Sequence, residues 1–391
     1  MRFSDIIGHQ DVKQRLIQSV VEQRVPHAQL FCGHEGIGKL RLAVAYAQYM
    51  ACPNRSESDS CGVCPSCVKY SKLVHPDLHF VFPITKSSDK DVCDTYVGLF
   101  REMILTNDYF GLEDWMAFAF EDSKKQAYIF ANESSEIIEK LSIKSYEAEY
   151  KIMIIWLPER MYKDNAFGNK ILKILEEPPQ DTVFLLVSNQ PNELLPTILS
   201  RTQLINISPV NVNEIAERLL SENQFDISEE DALRIARIAN GSVLEAIRIV
   251  TDDEENRVNF ERFTQLFREA WRLGAGQIPA DKKLAALKTL RTWADDLAAV
   301  RVGREKQKKF LIYAQRMLRE NFILNLQQPS LNYLTITEEN FSERFAQFIT
   351  ERNIEPMVSE FALAERQIGQ NSNAKIVFFD LALKMIMLLK K

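Results

Sequence analysis

Over the first half of the chain, apolar residues fall into short, nearly continuous runs separated by stretches with helical spacing. Runs at 28–32, 78–82, 150–156, 182–187 and 203–207 read as strands buried on both faces, since a strand covered on one face would alternate apolar with polar positions. Strands alternating with amphipathic helices imply a parallel sheet covered on both sides, an α/β fold. Between about 83 and 135 the rhythm breaks. Polar Ser87-Ser88-Asp89-Lys90-Asp91 precedes aromatics at Tyr109, Phe110, Trp115, Phe118 and Phe120, which reads as a helical insertion whose aromatics pack on the main domain. A helix over about 164–175 must stop at Glu176-Glu177-Pro178-Pro179, because proline lacks the N–H that continues it. After Pro209 the strand pattern ends. Ser228-Glu229-Glu230-Asp231 has the form of a helix cap and Asn240-Gly241 of a helix stop, giving a small helical domain over 208–252. The acidic run Asp252–Glu255 reads as a helix edge or linker. Residues 253–391, with Phe310, Tyr313, Ala314, Met317 and Leu318 at helical spacing, form an all-helical third domain.

With 391 residues the chain exceeds what one core serves well, in keeping with several domains. A net charge of −6 excludes a broad DNA-coating surface, which needs an excess of Lys and Arg against phosphate. The basic group Arg301, Arg304, Lys306, Lys308 and Lys309 reads as a solvated helix face, with DNA contact as the alternative. The first ten residues carry no apolar signal core and no apolar run reaches membrane-spanning length, so a cytoplasmic location without membrane contact is expected. Of six cysteines, Cys61, Cys64 and Cys67 stand at Cys-x-x-Cys-x-x-Cys spacing with Cys52 just upstream. Four thiolates suit tetrahedral structural zinc, and an iron–sulfur cluster is the alternative that shares such spacing. Cys32 and Cys93 read as simple residues.

The segment Gly33-His34-Glu35-Gly36-Ile37-Gly38-Lys39-Leu40 follows a strand, opens a helix, and fits G-x-x-x-x-G-K-[ST] except at its last position. Gly33, Gly36, Gly38 and Lys39 retain the means to cradle phosphate. Leu40 cannot coordinate magnesium. The acids that hold metal and orient water should end the strand at 151–155, yet Trp156 and Leu157 stand there, and Glu159 lies beyond a proline. Two losses of one chemistry predict a site without hydrolysis and leave open whether ATP occupies the loop.

Several segments in fixed order resemble the clamp-loader subunits of bacterial DNA polymerase III, of the delta-prime type, within the AAA+ superfamily. They are Phe3–Gly8, Pro26-His27-Ala28, the phosphate loop, the cysteine cluster, His75-Pro76-Asp77, Leu172–Pro179 and Leu199-Ser200-Arg201. The resemblance implies a RecA-like AAA+ domain over 1–207 with a zinc module at about 50–70 and the insertion at about 83–135. A helical lid over 208–252 and a helical collar for oligomerisation over 253–391 follow. It further implies that Arg201, beside Ser200, is an arginine finger acting on ATP bound by a neighbour, although Thr202 replaces the family's cysteine. The structural alternative is an arginine near a helix C-terminus that merely offsets its dipole. Ser188 or Asn189 would be the polar sensor after the fourth strand, and Gly241-Ser242-Val243-Leu244 lacks the arginine of active lids. The implied partners are gamma/tau-type loader ATPases, the delta subunit and, through the complex, sliding clamp and primed DNA. An active gamma/tau-type ATPase and a lone zinc-dependent nucleic-acid module are the rival readings.

Overall fold

The computed structural model describes the chain except for residues 87, 89–90, 121–125, 143, 162–171, 222–224, 226, 252, 275–278, 329–330 and 391. It divides into two compact units, Met1–Arg248 and Ile249–Lys391. The segment expected as a lid therefore falls, up to Arg248, within the first unit.

The first unit is built on five parallel strands: β1 (Ala28–Cys32), β2 (Leu78–Val81), β3 (Lys151–Trp156), β4 (Thr182–Ser188) and β5 (Gln203–Asn206), in the order β2-β3-β4-β1-β5. All five coincide with the apolar runs of the sequence. β1, β3 and β4 are buried at every position, polar Gln29, Lys151, Thr182 and Ser188 included, in keeping with their mostly apolar character, whereas the edge strand β5 buries only Ile205. Before the sheet lies α1 (Gln10–Val21). β1 leads through the glycine-rich loop into α2 (Lys39–Ala51), and α3 (Pro65–Ser71) follows the cysteines. The loop thus sits at the carboxyl end of a central strand, where open α/β sheets place their ligands.

The insertion supplies α4 (Cys93–Thr106), α5 (Leu112–Ala119) and α6 (Glu133–Ser142). Of its aromatics, Phe110, Trp115 and Phe120 pack inward, whereas Phe118 is exposed. Phe82 stacks on Phe100 at 4.0 Å, Trp115 stands edge-on to both, and Phe100 reaches Trp156 of β3 at 5.5 Å. Trp115 is fully buried and its indole N–H donates to the Pro83 carbonyl at 2.8 Å. The helix expected over 164–175 lies mostly outside the described residues, and its described end, 172–176, stops before Pro178. A four-residue helix, α7 (Pro196–Leu199), precedes β5.

Three helices follow: α8 (Val212–Ser221), α9 (Glu229–Ile238) and α10 (Val243–Thr251). Ser228 caps α9 by accepting from the Asp231 amide at 3.1 Å, and the helix ends through Asn240 and Gly241 at positive φ, as their sequence predicts. The second unit contains α11 (Asp253–Gly274), α12 (Ala280–Leu297), α13 (Arg304–Asn325), α14 (Ile336–Phe345), α15 (Ile354–Gly369) and α16 (Ala374–Leu388). The acidic run is the start of α11 rather than a linker, apart from Asp252, which lies outside the described residues. Phe310, Tyr313, Ala314, Met317 and Leu318 all enter this unit's core with Phe263, Phe267, Phe361 and Phe378. Arg304 and Lys306 of the basic group are exposed at the start of α13, and Lys308 pairs with Glu305 at 3.3 Å. Among the described residues no helix is long and apolar enough to cross a membrane.

Candidate nucleotide pocket and metal centre

The phosphate loop turns through Gly36 and Gly38, both at positive φ, and packs tightly on what surrounds it. A Cβ on Gly36 would meet Ser242 Oγ at 2.3 Å and Leu244 Cβ at 2.5 Å, so only glycine allows the start of α10 to rest on the loop. That seat is hydrogen-bonded. The amides of Val243 and Leu244 donate to the Gly36 carbonyl at 3.0 and 3.2 Å, and Ser242 Oγ donates to the Glu35 carbonyl at 2.9 Å.

Lys39 is buried, and its ammonium donates to the carbonyls of Gly33, at 2.8 Å, and His34. Burial lowers its pKa to about 8, against the opposing pull of Glu35 and Glu159. Burial likewise raises the Glu35 carboxyl, which Arg248 partly offsets. The stations for metal and water are apolar in space as in sequence. Leu40 lines the pocket, Trp156 packs against Phe110 at 5.3 Å, and Leu157 is buried at positive φ. Glu159 plays a structural part, accepting the amides of Asn189 at 2.8 Å and Gln190 at 3.3 Å. Ser188 is buried at the end of β4, while Asn189 donates its side-chain amide to Glu35 at 3.3 Å.

Over the loop lies the segment between α4 and α5, which the sequence did not assign to this site. The Tyr109 ring approaches Gly38 so closely that a Cβ there would stand 3.2 Å from it. Asp108 accepts from Arg41 of α2 and, at 2.8 Å, from Arg218 of α8. Asp114 accepts from Arg248 of α10 at 2.6 Å. Asp108, Tyr109 and Arg41, with Ile104, Asn107, Phe110 and Trp156, line a cavity of about 40 Å³, against several hundred for an ordinary small-molecule site. Leu244, where the lid arginine was expected, is buried. Arg248 stands one turn further along the same helix face, a spacing that could have drawn attention to it.

Arg201 follows α7, remote in sequence from the loop. Its guanidinium donates to Glu176, to the Thr197 carbonyl at 2.9 Å and to Ser200 Oγ at 3.2 Å, with the side chain about a third exposed. The bond to Thr197 shows that it also satisfies a helix-end carbonyl.

The four cysteines converge as their spacing suggested. Their sulfurs all lie within 4.8 Å of one another, with Cys52 to Cys64 at 4.0 Å and Cys61 to Cys67 at 3.9 Å. A tetrahedral metal with sulfur ligands at about 2.3 Å needs sulfur–sulfur edges of about 3.8 Å, whereas a disulfide would hold them at about 2.05 Å. Amides of Cys61, Cys64 and Cys67 donate to the sulfurs of Cys52, Cys61 and Cys64, which favours thiolates. Amides of Val63 and Cys64 hold the Cys61 thiol down at about 6, whereas burial raises those of Cys52 and Cys67, which a bound cation would have to offset. The donor set and spacing fit a closed four-sulfur centre joining the end of α2 to α3. Beneath it His75 lies against the Tyr70 ring at 4.6 Å, and Asp77 accepts the amides of Tyr146, Glu147 and Ala148 at 2.6 to 2.9 Å. Burial would raise the Asp77 carboxyl, but the three amides outweigh it and hold its pKa below the usual range.

Comparison with known proteins agrees with the motifs. A family model described as DNA polymerase III, delta subunit, matches residues 8–211. DNA polymerase III subunit delta' of Bacillus subtilis is 30% identical over 243 residues, covering 62% of this chain and 59% of the relative. DNA polymerase III subunit tau of the same organism is 23% identical over 252 residues, of which the chain spans 37% of the relative's length. A gamma subunit-related protein from Thermotoga maritima superposes with a TM-score of 0.42 at 14% identity, over 96% of this chain and 99% of that one. The family model covers just over half of the chain, including the phosphate loop, the four cysteines and Arg201, and on that match the chain belongs to the DNA polymerase III delta-subunit family.

Proposed function

We propose that this chain is a clamp-loader subunit of the delta-prime type, a AAA+ member of a ring that loads a sliding clamp onto primed DNA during replication. It does not hydrolyse ATP at its own loop and gives Arg201, with Ser200 beside it, to the ATP site of a neighbouring gamma/tau-type subunit. The delta subunit, the clamp and primed DNA are its further partners through the complex. The observation that carries this reading is the apolar filling of both catalytic stations by Leu40, Trp156 and Leu157, in a chain that keeps a partly exposed arginine after α7. Without a hydroxyl or acids there, neither magnesium nor the attacking water is held. A guanidinium suits the proposed task in trans because it stays charged and offers planar donors to phosphate. The cysteine centre is assigned one structural zinc. When bound, the metal contributes folding energy and leaves no open position for chemistry.

Resemblance to tau-named relatives favours a second reading, an active ATPase. Turnover by the purified chain decides between them: none is expected, and magnesium-dependent hydrolysis abolished by Lys39→Ala would establish the second. For the first, Arg201→Ala in the reconstituted loader should leave zinc content and assembly intact and lower DNA-stimulated hydrolysis and clamp loading. Arginine fingers in other phosphoryl-transfer systems are worth about 10³–10⁵ in rate, and one altered site among several should cost less. Normal loading by the Arg201→Ala complex would reduce Arg201 to a helix-end arginine.

A further inference from the structure

The segment 107–114 lies over the phosphate loop, and three arginines from separate helices close on two of its three carboxylates, Asp108 and Asp114. Arg41 comes from the core helix α2, and Arg218 and Arg248 from the lid helices α8 and α10. We propose that this segment is a built-in substitute for nucleotide, filling the pocket and locking the lid to the core in the absence of any bound phosphate. A triphosphate bridging loop and lid would offer anionic oxygens to cations on both sides, and Asp108 and Asp114 bring equivalent charge. Asp108 does so most directly, since it receives one arginine from the core and one from the lid. Asp114 is itself fixed, because it also accepts the Gly111 amide at 2.7 Å at the start of α5.

The remaining contacts agree. Tyr109 sits on Gly38, where phosphate oxygens would approach, and Phe110 packs on Trp156. Lys39, the residue that would reach outward to phosphate, is instead turned onto the carbonyls of its own loop. Leu244 stands where the resemblance puts an arginine, and Arg248 one turn on reaches Asp114 of the insertion. The cavity of about 40 Å³ left between these groups is far too small for a nucleoside triphosphate.

The inference rests on the reading of the loop as non-hydrolysing, and the test separates them: turnover bears on that reading, nucleotide binding and lid protection on this one. Hydrogen exchange of the full zinc-loaded chain should show the amides of α8 and of 243–248 protected without nucleotide and unchanged by millimolar magnesium-ATP. The near-isosteric double substitution Asp108→Asn with Asp114→Asn should raise exchange in those helices on the order of tenfold, with α11–α16 and zinc content unaltered. Should that variant not fold, Arg218→Gln and Arg248→Gln on the lid helices give the same readout. ATP that protects the loop and lid of the unaltered chain, or lid exchange that the substitutions leave unchanged, would overturn the proposal.

Discussion

The apolar residues Trp156 and Leu157 at the end of β3 were legible from sequence. What they do there was not legible. Trp156 joins Phe100 and Phe110, residues far off in the chain, and no local pattern announces such a contact. The same holds for the pairing of Arg41 with Asp108. His79 on β2 yields a residue-level prediction. Burial, helped by Lys140, lowers its pKa from 6.5 to about 4. Below about 6.5 the unfolded chain takes up a proton at this position that the folded chain refuses. The stabilising contribution is therefore complete above that pH and is lost as pH falls toward 4. Denaturant titrations should show a loss of about 1–3 kcal/mol for the first unit over this range, and His79→Gln should flatten the slope. An unchanged slope in the variant would place the acid sensitivity elsewhere, for example in the cysteines.

Among the elements, β1 to β4 and the helix opened by Lys39 follow directly from the sequence, since burial on both faces leaves an unmistakable apolar run, whereas β5, expected to be buried likewise, buries only Ile205 because it ends the sheet. The insertion is different. Its aromatics signal packing, but their spacing does not say against which strand, and the loop between α4 and α5 carries no motif for a seat on glycine. Trp115 is the element's anchor, buried among Phe82, Phe100 and Phe120 with its N–H satisfied by Pro83. Trp115→Ala should cost about 3–5 kcal/mol in chemical denaturation, the range for deleting a large buried aromatic. A cost under about 1 kcal/mol, typical of surface substitutions, would mean that the insertion is peripheral to the first unit's stability.

As a whole molecule the chain consists of two units, each with a core of its own, and stability should divide accordingly. A fragment of residues 249–391 should fold alone, with a helical circular-dichroism spectrum and one cooperative thermal transition. Chelation of the full chain should lower the transition of the first unit and leave that of the second in place, because the cysteine centre ties α2 to α3 within the first. A single merged transition that shifts bodily on chelation would contradict this. The convergence of the cysteines was legible in their spacing, and the boundary expected at 252/253 lies four residues from the division at 248/249, whereas the break expected at 207/208 separates no compact units. One feature bears on how the chain behaves in solution. β5 closes the sheet at one end with Gln203, Leu204 and Asn206 exposed, and beyond it no further strand is paired among the described residues. Such a rim is an adhesive template for any extended backbone, so an isolated subunit is open to self-association at high concentration, and one whose rim is covered by a neighbour is protected from it.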